Sequence, residues 1–171
     1  SWGARFSDLS RRARSAYVSR TLSPVEAMTV RADLRISALT LGRDRTRTLL
    51  SVGDARGASH IDAGVVRERS GALRWATWTV DRTGRRGAIA RGGVVTPGAW
   101  SRVEFRTTWL RPDARGVLLV NGTRVATGAP LDLAGRRAGR VEIGLVDSDL
   151  AADTATVHVD GVVVTDPDAG R

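Results

Sequence analysis

The sequence predicts an all-β domain in which two antiparallel sheets form a sandwich. Three observations support this prediction: apolar and polar residues alternate with a period of two along much of the chain, glycine and proline separate the alternating segments, and helical periodicity is nearly absent. The 171 residues suffice for one domain with one substantial core. About eleven short strands in a chain of this size indicate a sandwich or jelly roll.

The predicted strands follow one another with turn residues between them. The clearest strand is 27–36, where five apolar residues from Met28 to Ile36 alternate with polar ones. Asn121 and Gly122 predict a two-residue hairpin. The full set of predicted strands is 15–21, 27–36, 46–53, 59–68, 72–80, 85–91, 102–109, 116–121, 123–127, 140–146 and 157–164.

The sequence divides into a main domain and two short flanks. Residues 1–14 are either an edge strand or a lead, residues 15–166 form the domain, and residues 167–171 resemble a linker. Cysteine is absent, which excludes disulfides and thiolate metal sites. No stretch reaches the roughly 20 apolar residues of a membrane span.

The charge of the chain is strongly basic. Its 27 basic residues are all arginine, and the net charge is +9. These arginines lie in turns or alternate along strands, and none forms a basic helix with interleaved aromatic residues. The pattern therefore disfavours nucleic-acid binding and favours a solvated basic surface.

Several segments occur in an order that is known from one superfamily. They are SAYVSRTL at 15–22, TLLSVGD at 48–54, TPGAWSRVEF at 96–105, GVLLVNGTRV at 116–125, VEIGL at 141–145 and TVHVDGVVV at 156–164. This order resembles the concanavalin A-like lectin and glucanase superfamily in its laminin G-like, jelly-roll form. The resemblance implies a concave face on one sheet and an extracellular or cell-surface accessory domain. Members of the superfamily bind glycans, bind proteins or cleave polysaccharides, so the resemblance predicts fold better than activity.

Residues suited to catalysis are sparse. None of the glutamates lies in the E-x-D-x-x-E strand of the superfamily's glucanases, and Glu104 is expected to form a surface ion pair with Arg102 or Arg106. The chain has one tyrosine, Tyr17, and no glutamine, and the G-x-S-x-G elbow of serine hydrolases is missing. From these absences we predict that the chain is not an enzyme.

The predicted ligand-binding residues are Trp78, Arg74, His60, Asp62 and Arg106. With Trp75 directed inward, Trp78 falls on the same side as Arg74, and an exposed tryptophan beside an arginine suits stacking on a sugar ring. His60 and Asp62 share one strand face, as a base and its orienting acid would. Arg106, on an exposed strand face, completes the set.

The tryptophans outside this set are expected to be structural. Trp100 occupies the strand-entry position of the superfamily and Trp109 shares a face with other apolar residues, so both are predicted to be buried.

A structural calcium ion is the one cofactor that the sequence suggests. Asp147, Asp149 and Asp153 lie within seven residues, and carboxylate oxygens are ligands that Ca²⁺ prefers. Asp160 resembles the acidic residue that opens the last strand of relatives in which calcium joins the first and last strands. The alternative is a turn that aspartate side chains cap and nearby arginines neutralise.

Two functions remain open at this point. The first is an extracellular carbohydrate-binding module that binds a glycan or polysaccharide on the concave face. The second is a structural or protein-interaction domain, packed against other domains of the same polypeptide or a protein partner, and the run at 117–120, which is apolar on both faces, supports it. A third function, that of a lyase or glucanase, ranks below these two because catalytic residues are sparse. An open polar groove would favour sugar, and a filled groove would favour packing.

Overall fold

Alternation of apolar and polar side chains produces twelve strands in the described part of the chain. The computed structural model describes residues 4–8, 16–110, 112–130, 132–133, 135–148 and 154–166. The strands are β1 (Ala4–Asp8), β2 (Ala16–Val25), β3 (Ala27–Thr40), β4 (Thr46–Asp54), β5 (His60–Arg67), β6 (Leu73–Val80), β7 (Ala90–Val94), β8 (Trp100–Thr108), β9 (Arg115–Val120), β10 (Thr123–Thr127), β11 (Ala138–Ser148) and β12 (Thr154–Thr165).

These strands form two six-stranded sheets. Sheet I has the order β1-β12-β3-β8-β9-β10, and sheet II has the order β2-β11-β4-β5-β6-β7. All pairings within the two sheets are antiparallel. The predicted all-β, two-sheet antiparallel jelly roll is confirmed. Within the described ranges, the chain contains no helix that is long and apolar enough to cross a membrane.

One core lies between the two sheets. The five alternating residues of β3 from Met28 to Ile36 are buried as predicted. Sheet II contributes residues that include Leu50, Val52, Ile61, Val65, Trp75, Val141, Ile143 and Leu145. Because full burial of such a side chain is worth about 1.5–3 kcal/mol, this shared core fixes which face of each strand is directed outward.

The hairpin between β9 and β10 forms as the sequence predicts. Asn121 has a φ of 52° and Gly122 a φ of 81°, the two left-handed positions of a type I′ turn. The turn is also attached to β8, because the backbone N–H of Arg102 donates to the side-chain oxygen of Asn121 at 2.9 Å.

The last strand departs from the predicted alternation. Val157 and Val159 are buried, but the pairing register shifts between Asp160 and Val163. A bulge at this point reverses the faces, so Val163 is exposed and its neighbours pack against the core. Unbroken alternation from Val157 and Val159 would have directed Val163 inward, so the regular period expected for the strand at 157–164 holds only for its first part.

Trp100 is also placed differently from the prediction. It lies opposite Arg35, while Ser101 lies opposite the buried Leu34. Alternation therefore directs Trp100 to the outer face of sheet I, where 49% of it is exposed. Its predicted burial was wrong, whereas Trp109 is buried as expected.

Residues 81–89, which we call the 81–89 loop, replace most of the strand predicted at 85–91. The carboxylate of Asp81 accepts bonds from the backbone N–H of Thr83 at 2.8 Å and of Arg85 at 3.0 Å, so it closes a turn. The N–H of Gly87 then donates to the carbonyl of Thr79 at 2.8 Å. The loop consequently folds back along β6 before β7 begins.

The outer face of sheet I carries matched charges. Glu104 accepts from Arg31 at 2.7 Å and also from Arg106, and Asp33 accepts from Arg102 at 3.3 Å. The predicted surface ion pair of Glu104 is confirmed. Burial alone would raise the pKa of Glu104, but hydrogen bonds from Arg31 and Arg106 outweigh it and hold this pKa below its usual value.

We expect the Glu104 carboxylate to stabilise the fold in a pH-dependent way. A depressed pKa means that the ionised form binds its partners in the folded state, so the stabilisation is present at neutral pH and is lost as the pH falls through the folded-state pKa. Glu104→Gln should lower the free energy of unfolding by about 0.5–1 kcal/mol at neutral pH, the upper range for exposed pairs. Urea denaturation at several pH values measures the difference.

The control is Asp113→Asn, which removes an exposed carboxylate that has no ion pair among the described residues. It should leave the free energy of unfolding within about 0.5 kcal/mol of wild type. A cost of Glu104→Gln that stays constant from neutral to acidic pH would contradict the assigned role of the carboxylate.

Candidate functional site

Polar side chains meet on the outer face of sheet II, where four strands lie side by side in the order β2-β11-β4-β5. Glu142 on β11 lies opposite Ser19 on one side and Ser51 on the other. Ser51 in turn lies opposite Asp62 on β5. Because cross-strand partners share a face of the sheet, this register produces a continuous polar row.

His60 and Asp62 form the first charged pair of this row. The Nδ1 atom of His60 lies 2.8 Å from Oδ1 of Asp62. The Asp62 side chain is only 3% exposed, whereas the His60 side chain is 33% exposed. A buried carboxylate thus orients an imidazole that solvent can reach, as the shared strand face predicted.

Arg140 and Glu142 form the second charged pair. The Nη2 atom of Arg140 lies 2.5 Å from Oε1 of Glu142, and the Nε of Arg140 donates to the hydroxyl of Ser19 at 3.0 Å. Two acceptors therefore fix the plane of the guanidinium.

A tight turn between β4 and β5 borders this arginine. Oδ1 of Asp54 accepts the backbone N–H groups of Arg56 and Ala58, each at 3.0 Å, and Oδ2 accepts from Arg136 at 2.5 Å. The turn places Gly57, with φ 69°, where an added Cβ would lie 3.1 Å from Nη1 of Arg140. Glycine at this position therefore satisfies the left-handed backbone and leaves room for the guanidinium.

The two charged pairs and Gly57 line one pocket of about 280 Å³, which we call the groove. Its lining consists of Tyr17, Thr48, Ser51, Gly53, Gly57, His60, Asp62, Arg140, Glu142 and Val146. Tyr17, on the edge strand, is 39% exposed and supplies an aromatic ring. The groove thus offers donors, acceptors and a ring within one depression, which is the composition of a site for a polar ligand.

Trp78 lies on the same face of sheet II, since it pairs with Asp62, but it is buried. It belongs to a small apolar cluster with Val66, Ala76 and Val80, against which Ile89 packs. The guanidinium carbon of Arg86 lies 5.0 Å from the centre of the Trp78 ring. The predicted exposure of Trp78 was wrong because the 81–89 loop covers this half of the face.

The other two predicted ligand residues lie away from the groove. Arg74 is on β6 and its Nε donates to Glu68 at 3.3 Å. Arg106 is on the outer face of sheet I, bound to Glu104. The fold therefore brings only His60 and Asp62 of the predicted set together, and a ligand role for any of the five residues stays a prediction.

Most of the predicted calcium ligands lie where the structure gives no side-chain description. Asp149 and Asp153 are outside the described residues, and Asp147 is described only as part of β11. Asp160 lies opposite Asp33 and accepts the backbone N–H of Gly161 at 2.7 Å. Among the described residues no group of three or more His, Cys, Asp or Glu side chains could hold a metal ion. Calcium binding stays a prediction.

Among the groove residues that the sequence did not predict, three are charged or aromatic: Tyr17, Arg140 and Glu142. A signal existed for two of them, because Val141, Ile143 and Leu145 alternate with Arg140 and Glu142. What the sequence lacked was the strand order, which places β11 and β2 beside β4 and β5, far away along the chain.

Comparison with known proteins identifies relatives by fold alone. No family model matches the chain, and no curated protein matches it in sequence. Among solved structures, a sialidase is similar with a TM-score of 0.65 and 14% identity, over 97% of this chain but only 15% of the sialidase chain. The chain therefore spans about one seventh of that enzyme.

Two further structures resemble the chain over most of their own length. A heptameric SAP-like pentraxin from Limulus polyphemus has a TM-score of 0.63 and 12% identity, over 95% of this chain and 75% of the pentraxin. Alginate lyase AlyC3 in complex with dimannuronate has a TM-score of 0.60 and 10% identity, over 95% of this chain and 74% of the lyase. The chain thus has the concanavalin A-like jelly-roll fold.

The prediction that the chain is not an enzyme is contradicted. Alginate lyases carry the same fold, so the jelly roll gives no ground for excluding catalysis. The sequence argument failed because it treated Tyr17 and the His60–Asp62 pair separately and did not consider Arg140, whereas all four residues line the groove.

The two tryptophans whose positions were predicted wrongly should differ in their contribution to stability. Trp78→Ala removes a fully buried ring and should lower the free energy of unfolding by about 3–5 kcal/mol. Trp100→Ala, the matched control, removes a half-exposed ring and should cost about 1 kcal/mol or less. Chemical denaturation measures both. Equal costs would show that the 81–89 loop does not cover Trp78 in solution.

Proposed function

We propose that this jelly-roll domain binds carbohydrate in the groove on the outer face of sheet II. The observation that carries the proposal is the convergence of the Arg140–Glu142 pair, the His60–Asp62 pair and the Tyr17 ring in one pocket. A sugar presents hydroxyls that both donate and accept hydrogen bonds and a C–H face that packs on an aromatic ring, so it matches each of these groups.

The shape of the outer face supports the sugar reading over the packing reading. An apolar cluster and the 81–89 loop fill the half around Trp78, but the half around Tyr17 and His60 is open and polar. A protein-packing face would offer a broader apolar surface than this half does. The alginate lyase in complex with dimannuronate adds support, because a protein of similar fold binds a sugar acid.

Location and metal dependence accompany the proposal. An extracellular or cell-surface location, predicted from the resemblance, suits a module that meets polysaccharides. Structural calcium at Asp147, Asp149, Asp153 and Asp160 is likewise proposed, and repeating the titrations described below in the presence of EDTA tests it.

Binding should be measurable by calorimetry against a panel of mannuronate, xylose, cellulose and sialylated oligosaccharides. We expect dissociation constants near or below about 100 µM for at least one ligand, which corresponds to about −5.5 kcal/mol. Arg140→Gln and Tyr17→Ala should each weaken binding at least about tenfold, because each removes a direct contact in a solvent-accessible pocket.

The control is Arg124→Gln, which removes an exposed arginine from β10, outside the groove. It lowers the net charge as much as Arg140→Gln does and should leave affinity unchanged within about twofold. If no oligosaccharide binds, or if both arginine variants lose affinity equally, the groove is not a sugar site. That result would favour the alternative function, a structural or protein-interaction domain.

A second candidate function is cleavage of the bound polysaccharide, and a specific observation favours it. His60, oriented by the buried Asp62, shares the groove with the Tyr17 hydroxyl and the Arg140 guanidinium. An imidazole and a phenol at one sugar can serve as proton acceptor and proton donor, and an arginine can bind the carboxylate of a uronic acid.

Cleavage would require His60 for turnover far more than for binding, because the imidazole would transfer a proton in addition to the hydrogen bond that it offers the sugar. Incubation with alginate and xylan, followed by mass spectrometry of the products, distinguishes hydrolysis, which adds water, from elimination, which leaves an unsaturated sugar. His60→Gln should lower the rate about 100-fold or more but weaken binding less than about tenfold, because glutamine keeps a hydrogen-bonding group. Intact polysaccharide after prolonged incubation with wild type would exclude this second function and leave the binding proposal standing.

A further inference from the structure

A cluster of polar and aromatic side chains lies on the outer face of sheet I, across the sandwich from the groove. Arg35 on β3 lies opposite Trp100 on β8 and opposite His158 on β12. Ser37, two residues along β3, reaches the same histidine. We call these four residues the Trp100 patch.

The geometry of the patch arranges three flat groups around one another. The guanidinium carbon of Arg35 lies 5.2 Å from the centre of the Trp100 ring. The Trp100 and His158 rings are 6.4 Å apart between centres and inclined at 66°. Nη2 of Arg35 lies 3.4 Å from both ring nitrogens of His158, and the Ser37 hydroxyl lies 3.2 Å from Nε2. These contacts hold the tryptophan ring in place while about half of it faces solvent.

The charge of Arg35 is not matched as the neighbouring charges are. Arg31, Arg102 and Arg106 on the same face each bind a carboxylate. Within the described residues Arg35 has no carboxylate partner, and its buried Nε makes no hydrogen bond. A partly desolvated guanidinium without a counter-charge is costly, and an anionic ligand would compensate it.

A shallow depression begins at Trp100, next to Arg35. It is lined by Trp100, Asp33, Arg102, Asn121 and Gly122. One wall is thus an exposed aromatic ring and the other consists of hydrogen-bonding groups, an arrangement suited to a pyranose ring stacked on tryptophan.

We propose that the Trp100 patch is a second binding site, specific for a sugar that carries an anionic group, either carboxylate or sulfate. The sugar ring stacks on the exposed part of Trp100, and the anionic group pairs with Arg35, with His158 and Ser37 at its side. The site is independent of the groove, so a failure of the groove proposal leaves it standing.

The surroundings of the patch favour a glycan over macromolecules of other classes. A protein interface needs a contiguous apolar centre, but Trp100 is flanked along its strand by ion-paired Arg102 and Glu104. A nucleic acid needs several unpaired basic groups in a row, and the neighbouring Arg31, Arg102 and Arg106 already bind carboxylates. The Trp100 ring can stack on one sugar ring, and the Arg35 guanidinium can bind one anionic group, so the patch suits one acidic sugar.

The test uses the whole chain with Arg140→Gln as background, so that binding in the groove is weakened and contributes less. Three probes are titrated by calorimetry: a galacturonate trimer, a sulfated galactose trimer and an uncharged galactose trimer. At least one acidic trimer should bind about tenfold more tightly than the uncharged one, with a change in tryptophan fluorescence. Whichever acidic trimer binds more tightly identifies the anionic group.

Matched variants distinguish binding at a specific site from non-specific attraction between an anion and a basic protein. Trp100→Ala and Arg35→Gln should each weaken binding of the acidic trimer at least about tenfold. Trp100→Phe should keep part of the affinity that Trp100→Ala loses. Arg31→Gln, which removes an ion-paired arginine from the same face and strand, should change affinity less than about threefold.

Three results would overturn the proposal. The first is that neither acidic trimer binds better than the uncharged one. The second is that Arg31→Gln and Arg35→Gln lose affinity equally, which would indicate non-specific charge attraction. The third is that Trp100→Ala binds as the parent does while remaining folded by circular dichroism.

Discussion

Burial of one side of every central strand is the constraint on which the rest of this molecule depends. Val141, Ile143 and Leu145 must face the core between the sheets, and the period of two then directs Arg140 and Glu142 to the outer face of sheet II. The same rule, applied to β3 and β8, directs Arg35 and Trp100 to the outer face of sheet I. The polar sites on both faces are therefore consequences of where the apolar residues have to be. A shift of the pairing register by one residue in any of these strands would bury a charged side chain and would also remove a residue from its site.

What distinguishes the two outer faces is how the protein covers them. On sheet II the 81–89 loop folds over Trp78, and Asp81 ties the loop through three hydrogen bonds to its own turn. The ring is thereby removed from solvent, and the open part of the face is confined to β2, β11, β4 and β5. On sheet I no comparable loop covers Trp100 among the described residues, and its ring stays half exposed. The same residue type is thus structural on one face and available for contact on the other, according to local cover alone.

The sequence predicted the architecture well because its signals are local. Alternation in β3, the Asn121-Gly122 turn and the surface ion pair of Glu104 all follow from residues near one another in the chain or in adjacent strands. Trp100 could have been placed correctly by the same alternation, since it shares its parity with Arg102 and not with Val103. Trp78 could not, because its burial depends on where the 81–89 loop lies. The groove was predicted only to the extent of His60 and Asp62, which are two residues apart on one strand. Joining them to Tyr17 and Arg140 needs the order β2-β11-β4-β5, which no local pattern encodes.

Charge matching makes the surface of this chain uneven despite its net charge of +9, because in the part of the chain that the structure describes some arginines bind carboxylates and others do not. Carboxylates neutralise arginines at specific places: Glu104 serves two, while Asp33, Asp54 and Glu142 serve one each. In the groove, Glu142 holds the Arg140 guanidinium in place. The remaining N–H groups of Arg140 can donate to a neutral hydroxyl, and the carboxylate of Glu142 can accept from it. In the Trp100 patch the matching is incomplete, because Arg35 is held by aromatic rings and no carboxylate reaches it within the described residues. An anion at the Trp100 patch would therefore meet an arginine whose charge no carboxylate within the described residues neutralises, beside a half-exposed ring.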